Sequence, residues 1–101
     1  MSGPIRAGDA VLVRWSYGDP PVHREETWCV AYADHESGKL APAGWPDCEV
    51  DLSTCELVRS ATDEQHEAHV KLWADRVDQR DRRTRHVERL YPEAWAKAGA
   101  K

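Results

Sequence analysis

The sequence contains no phenylalanine, so its large aromatic volume comes from five tryptophans and three tyrosines. It also lacks any run approaching the ~20 apolar residues of a membrane-spanning helix, and its first eight residues have no apolar region of the secretory type. Three cysteines are an odd number, which favours a reducing compartment over a disulfide framework. We therefore expect a cytoplasmic protein that does not bind membranes.

The chain of 101 residues is of a size typical of one domain with a single small core. Its net charge of −4 is unevenly distributed. Residues 1–61 hold five Lys or Arg against ten carboxylates, a net charge of −5, whereas residues 62–101 hold nine against eight, a net charge of +1. An acidic first region disfavours a phosphate backbone and favours a basic partner, although the same charges would also keep a small domain soluble.

Two segments alternate with the period of two that is typical of β-strands. They are VLVRWSY at 11–17 and TWCVAYA at 27–33, and the second places Trp28, Val30 and Tyr32 on one face. The charged, proline-containing segment between them is expected to be a loop. Three shorter strands are predicted in KLAPAGW, CEVDL and STCELV, the last after a tight turn.

Short strands with an early long loop and a turn before the last strand favour a small, bent antiparallel barrel, which solves the edge-strand problem in a short chain. No glycine occurs between Thr62 and Gly99, which indicates helix beyond the strands. We predict an α+β protein in which an SH3-like antiparallel β-barrel over residues 1–61 is followed by a long C-terminal helix within residues 62–101.

Thr62 is the predicted N-cap of this helix, with Gln65 at the capping-box position. Pro92 is expected to end or kink it. Apolar or small residues then recur at steps of three, four or seven and form one stripe: Val70, Trp73, Val77, Thr84, Val87 and Tyr91. We expect Val70, Trp73, Val77 and Val87 to be buried, either against the barrel or against a second copy of the chain.

The segments GDAVLVRW, ETWCVAYADHESGK and GWPDCEVDLSTCELV resemble an SH3-like barrel of the Tudor and chromo-barrel kind over roughly residues 5–60. The resemblance implies an aromatic cage that binds a methylated Lys or Arg through cation–π attraction, aided by carboxylates. The alternative is that most of these aromatics form the core. The predicted partner-binding residues are Trp15, Tyr17, Asp19, Glu25, Glu26, Trp28, Tyr32 and Trp45, with Asp47 as a further available acid.

A second resemblance is to the MazF-like endoribonuclease toxins, which the opening GDAVLVRW and the loop YGDPPVHREE match in character. Where that family has Arg-Pro at the start of the next strand, this chain has Thr27-Trp28. His23 and Arg24 lie nearby and are the candidates for a general base and a phosphate clamp. Because the Arg-Pro pair is missing, we predict no catalytic residues and no ribonuclease activity.

The four candidate zinc ligands are Cys29, His35, Cys48 and Cys55. Their nearest pair is separated by six residues, whereas structural zinc sites usually present close pairs. Small buried cysteines are the favoured interpretation. We predict no metal and no cofactor.

The helix carries a cluster of arginines interleaved with acids, which intrahelical ion pairs explain without a ligand. The alternatives are a contact with nucleic acid or with an acidic partner protein, and a homodimer through about three imperfect heptads. The leading hypothesis is a non-catalytic protein-interaction module, a small regulator or inhibitor of the kind that phages and mobile elements encode, docking on a larger protein through a basic segment of it. A diverged MazF-like toxin and a nucleic-acid adaptor are the alternatives. The predicted helix contacts are Trp73, Arg76, Arg80 and Arg83.

Overall fold

The computed structural model describes residues 4–44, 48–75 and 82–99. It shows an α+β protein, as the sequence predicts. The strands are β1 (Ala10–Tyr17), β2 (Val22–Asp34), β3 (Lys39–Pro42), β4 (Val50–Asp51) and β5 (Cys55–Arg59), with a 3-10 turn at Leu52–Thr54 before β5. The helices are α1 (Asp63–Ala74), α2 (Arg82–Leu90) and α3 (Pro92–Lys97).

The strands form one antiparallel sheet in the order β4–β3–β2–β1–β5. Within the described part of the chain this sheet is open, with β4 and β5 as its two edges, so the predicted closure into a barrel is not seen. The three short strands and the tight turn before the last one lie where the sequence predicts them. Strand β2 begins at Val22, five residues earlier than predicted, because Val22–Glu26 pair with the end of β1.

Strand β2 contains a bulge that reverses the direction of its side chains. Val30 lies opposite Pro42 and Tyr32 lies opposite Ala41, so Ala31 is one extra residue on β2. An extra residue shifts the period-two alternation by one position. As a result Val30 packs in one core cluster and Tyr32 in the other.

The two core clusters lie on opposite faces of the sheet. The first contains Val11, Val13, Val30, Ala33 and Leu40 and belongs to the strands alone. The second joins strand residues to the helices and therefore ties the two regions of the chain together. Its buried members are Ala7, Ala31, Tyr32, Ala41, Val70, Trp73, Ala74, Val87, Ala94 and Trp95.

The predicted single long helix is wrong, because the described residues form three helices that pack on one another. Val70 and Val87 would lie about 25 Å apart along one straight helix, at 1.5 Å per residue. Both instead pack in the same cluster, and α1 contacts α2 and α3. The first helix ends at Ala74, with the backbone N–H of Asp75 bonded to the carbonyl of Lys71.

Local signals at the helix ends are confirmed. Thr62 and Gln65 form the predicted capping box, since each side chain accepts a hydrogen bond from the other residue's backbone N–H. The second helix ends before Pro92, which is the first residue of α3. None of the helices in the described ranges is long and apolar enough to cross a membrane.

Candidate functional site

The end of β1 and the start of β2 pair as an exposed two-stranded ribbon, formed by Arg14–Tyr17 and Val22–Glu26. Every residue of both segments is exposed, whereas the neighbouring Val11 and Val13 are fully buried. Gly18 opens the turn with a positive φ of 84°, a conformation that glycine adopts at little cost. The ribbon is therefore a surface feature that the core does not explain.

One face of the ribbon carries a pair of tryptophans. Residues Val11, Val13 and Trp15 share a face of β1, and Trp28 lies opposite Val11 on β2. The rings of Trp15 and Trp28 have centroids 6.0 Å apart and planes inclined by 36°. This is the separation of a favourable aromatic pair, and Trp15 remains 38% exposed.

A carboxylate is hydrogen-bonded to one ring of the tryptophan pair. The indole Nε1 of Trp28 donates a hydrogen bond to Oε2 of Glu26 at 3.0 Å. Glu26 lies opposite Val13 in the register and so shares the face of the tryptophans. The bond fixes the orientation of the Trp28 ring and holds a negative charge beside it.

The tryptophan pair borders a groove of about 520 Å³. Two further carboxylates, Glu49 and Asp51, line its other side, together with Lys39. The ammonium of Lys39 lies 2.6 Å from Oδ1 of Asp51, and this carboxylate raises the pKa of Lys39. We call this site the tryptophan groove; its lining residues are Val13, Arg14, Trp15, Trp28, Lys39, Cys48, Glu49, Val50, Asp51 and Thr54.

An aromatic face with adjacent carboxylates suits a cationic group. The negative face of an indole attracts a cation, and the attraction grows when water is excluded. Carboxylates add charge-assisted hydrogen bonds, which are strongest with a guanidinium. Lys39 already occupies part of this acidic environment, so an incoming cation would compete with it for Asp51.

Of the eight predicted partner-binding residues, Trp15, Glu26 and Trp28 come together at the tryptophan groove. Tyr17 lies on the same face of the ribbon further towards its tip, and it is 52% exposed. Asp19 is exposed in the turn at the tip. Trp45, like the additional acid Asp47, lies outside the described residues.

The prediction for Tyr32 is wrong. Its side chain is only 1% exposed and packs in the cluster that faces the helices. Its ring stacks on that of His86, with centroids 4.6 Å apart, and its hydroxyl donates to Glu49. The cause is the bulge at Ala31, which turns Tyr32 away from the face that carries Trp28.

The prediction for Glu25 is also corrected. It lies opposite Arg14, on the other face of the ribbon from Trp15. Its carboxylate is 3.2 Å from Nε of Arg14, and Glu56 of β5 lies 3.5 Å from NH1 of the same guanidinium. Arg14 thus bridges two strands, and Glu25 does not contribute to the tryptophan groove.

Trp73, a predicted helix contact, is 4% exposed and packs within its own chain. The predicted burial of Val70 and Val87 is confirmed, since both are fully buried against the same cluster. Of the stripe, Val77 lies outside the described residues. Among the other predicted helix contacts Arg76 and Arg80 lie outside them as well, as does the side chain of Arg83, whose backbone belongs to α2.

The cysteines show no sign of nucleophilic activation. Cys29 is exposed, with its Sγ 3.9 Å from Nδ1 of His69. Burial raises the pKa of Cys29 and lowers the pKa of His69, so both changes oppose a thiolate–imidazolium pair. Burial also raises the pKa of Cys55. Across the described ranges no three His, Cys, Asp or Glu side chains lie close enough to hold a metal ion.

His23 and Arg24 are both exposed on the ribbon. They are adjacent in β2, opposite Ser16 and Trp15 respectively. Adjacent residues of a strand point to opposite faces, so the two side chains do not converge on one point. The predicted absence of ribonuclease activity stays a prediction.

Sequence reasoning did not assign Lys39, Glu49 and Asp51 to the site. They come from β3, from β4 and from the residue before β4, and only the pairing of Lys39 with Asp51 brings them together. Period-two alternation identifies faces within a strand, not the neighbours of a strand in space. The acidic flanks of Val50 in CEVDL were the one available signal.

No protein-family model matches the chain, and neither a curated protein nor a solved structure matches it.

Proposed function

We propose that this chain is a non-catalytic protein-interaction module whose tryptophan groove binds a basic segment of a larger protein. The observation that carries the proposal is the Trp15–Trp28 pair, which is partly exposed and bordered by the carboxylates of Glu26, Glu49 and Asp51. Contiguous apolar surface with a polar rim often marks a site of protein interaction. Tryptophan is also among the residues that contribute most to protein interfaces.

The charge of the chain favours a basic partner over nucleic acid. Residues 1–61 carry a net charge of −5. Glu49 and Asp51 line the groove and Glu26 lies beside it, while its two cations are already paired with carboxylates, Lys39 with Asp51 and Arg14 with Glu25 and Glu56. A phosphate backbone would meet this surface with the wrong sign. A Lys or Arg side chain would meet an aromatic face and a carboxylate together, which favours both association rate and orientation.

The strand order supports an SH3-like architecture for the first region. Strand β2 is shared between β1 and β3, a 3-10 turn precedes the last strand, and β5 returns to pair with β1. The resemblance to Tudor and chromo-barrel modules leads us to expect closure of such a sheet and a ligand site among its aromatics. The proposed groove lies at the base of the first hairpin of this arrangement.

Peptide binding tests the proposal. Peptides of Gly and Ser with a central Arg, Lys or Glu are titrated into the protein, and the indole N–H signals are followed by NMR. We expect the Arg peptide to shift the signals of Trp15 and Trp28, the Lys peptide to do so more weakly, and the Glu peptide to leave them unchanged. Equal shifts with the Glu peptide would refute a basic partner.

Variants localise the binding. Trp15→Ala removes one face of the pair and should weaken the Arg peptide about five- to thirtyfold, the equivalent of ~1–2 kcal/mol of cation–π attraction. Leu72→Ala is the control, because Leu72 is an exposed apolar residue on α1, away from the sheet. A loss of affinity as large in Leu72→Ala as in Trp15→Ala would place the site elsewhere.

The diverged toxin and the nucleic-acid adaptor stay predictions. Incubation with mixed-sequence RNA tests the first. Cleavage by the parent that disappears in His23→Ala or Arg24→Ala would favour the toxin over an interaction module. Specific RNA binding without cleavage would favour the adaptor.

A further inference from the structure

The ribbon exposes more apolar surface than the tryptophan groove uses. Across the described residues the large apolar side chains that are exposed are Trp15, Tyr17, Val22, Val58 and Leu72. Three of these five belong to the ribbon. Tyr17 lies directly opposite Val22, and Trp15 lies two residues before Tyr17, so the three share one face. Because this face continues into the tryptophan groove, they form one apolar stripe, which we call the ribbon stripe.

We propose that the partner's basic segment is an extended chain that runs from the tryptophan groove along the ribbon stripe, so that recognition requires an aliphatic side chain on the same side as the basic one. The inference rests on the proposed function, because the groove sets where the segment begins. The inference adds a second residue, an aliphatic one, to the motif that the partner must carry. The ribbon stripe is the docking surface for this aliphatic residue.

The spacing of the stripe matches an extended chain. Side chains on one face of a strand repeat every ~6.8 Å, so Trp15 and Tyr17 are separated by about this distance. The Trp15–Trp28 pair adds a further 6.0 Å between ring centroids. A partner in extended conformation presents same-side residues with the same repeat. A basic residue over Trp28 therefore places residues two and four positions away over Trp15 and over the Tyr17–Val22 pair.

The face that carries the ribbon stripe also holds one charged residue of each sign. Arg24 lies opposite Trp15, and Glu26 lies between the stripe and Trp28, on the same face of β2. An apolar centre with a charged rim is typical of surfaces that bind protein. Single-stranded RNA is the competing occupant, since bases stack on Trp and Tyr. The carboxylates of the groove disfavour it.

The experiment varies the number of residues between the basic and the aliphatic residue of a peptide. The probes are Gly-Ser peptides with one Arg and one Leu, with the Leu one, two, three or four residues from the Arg on either side. A peptide with Arg alone measures the groove by itself. We expect even offsets on one side of the Arg to bind about five- to tenfold more tightly than Arg alone, as expected for a partly buried Leu. Odd offsets should give no gain, since they turn the Leu towards solvent.

Two double variants assign the gain to the stripe. Tyr17→Ser with Val22→Ser removes its outer half, while Ser16→Ala with His23→Ser changes the opposite face of the same ribbon. All four residues are exposed, so the core is untouched, and circular dichroism checks that each protein remains folded. The first double variant should lose the gain from Leu and still bind the peptide with Arg alone. The second should keep both.

The outcomes separate the two proposals. If the Arg peptide binds but no offset improves it, or if the gain survives in Tyr17→Ser with Val22→Ser, the stripe is not the docking surface, although the groove still binds cations. If the Arg peptide itself does not bind, the proposed function fails first. Tighter binding of single-stranded RNA than of any peptide, lost in the same double variant, would overturn the inference in favour of nucleic acid.

Discussion

The hydroxyl oxygen of Tyr91 accepts a hydrogen bond from the backbone N–H of Ala33 at 3.0 Å. The same oxygen accepts a second bond, from the N–H of Ala7, at 3.1 Å. Tyr91 lies between α2 and α3, so one side chain joins the helices to β2 and to the segment before β1. Burial raises the pKa of its phenol, so it is neutral under ordinary conditions.

Replacement of Tyr91 by Phe should destabilise the protein by ~1–3 kcal/mol, because two backbone N–H groups would lose their acceptor. Urea unfolding followed by circular dichroism measures the effect. Tyr17→Phe is the matched control, since Tyr17 is exposed and no change is expected there. An unchanged urea midpoint for Tyr91→Phe would show that these bonds do not contribute to stability.

The ion pair between Asp34 and Arg89 should make the stability of the protein depend on pH in the acidic range. The Arg89 guanidinium, 2.9 Å away, and the backbone N–H groups of Ser37 and Glu36 lower the pKa of Asp34 to about 2. The unfolded value is near 3.9. Because the pKa of Asp34 is lower in the folded than in the unfolded protein, its ionised form stabilises the fold. This contribution to stability is complete above about pH 4 and is lost as the pH falls towards 2.

NMR titration of the Asp34 carboxyl carbon tests this directly. Arg89→Gln should move its pKa upward, and in Asp34→Asn the loss of stability between pH 4 and 2 should be smaller than in the parent. Lys71→Gln removes an ion pair of α1 that does not involve Asp34 and serves as the control. Titration of Asp34 near 3.9 in the parent would contradict the prediction.

Trp73→Ala should cost ~3–5 kcal/mol, because the side chain is buried in the cluster that joins sheet and helices. This is comparable to the whole stability of a small domain, so we expect general unfolding in the monomer. Trp15→Ala is the matched control and should leave stability nearly unchanged. Sedimentation and circular dichroism together distinguish unfolding from a change of assembly, and a folded variant of parental stability would show that Trp73 is not a core residue.

Lys39→Met should strengthen binding of the Arg peptide a few-fold. Lys39 pairs with Asp51 inside the groove, and its removal leaves that carboxylate free for the incoming guanidinium. The effect is expected to be modest, since exposed ion pairs contribute little. Lys97→Met, which breaks the pair with Glu67 between α3 and α1, is the control. Weaker binding in Lys39→Met would indicate that the partner brings an acid to this position.

The sequence predicted most of the strands, the start of α1 and the interruption at Pro92, because their signals are local. The capping box of Thr62, the interruption at Pro92 and the tight turn before Cys55 each depend on a few adjacent residues. Period-two alternation likewise grouped Trp28 with Val30 on one face of β2, but it did not indicate which face points inward.

The failures concern relations between distant residues. Tyr32 was assigned to the wrong face because the bulge at Ala31 depends on its pairing with β3. The apolar stripe has the same spacing in one long helix and in several short helices, so one long helix was predicted where the described residues form three. The charged residues of Val22–Glu26 have no strand pattern of their own, and they adopt one through pairing with β1.

The bulge at Ala31 also separates the exposed positions of β2 from the position that packs against the helices. The exposed residues of β2, Val22–Thr27 and Cys29, all come before it, whereas Tyr32 beyond it packs against the helices. Substitutions in the ribbon can therefore alter what the protein recognises while the helical core keeps its packing. In a selection for new binding specificity, randomised positions belong before Ala31, and insertion or deletion at Ala31 itself should be the least tolerated change in the strand.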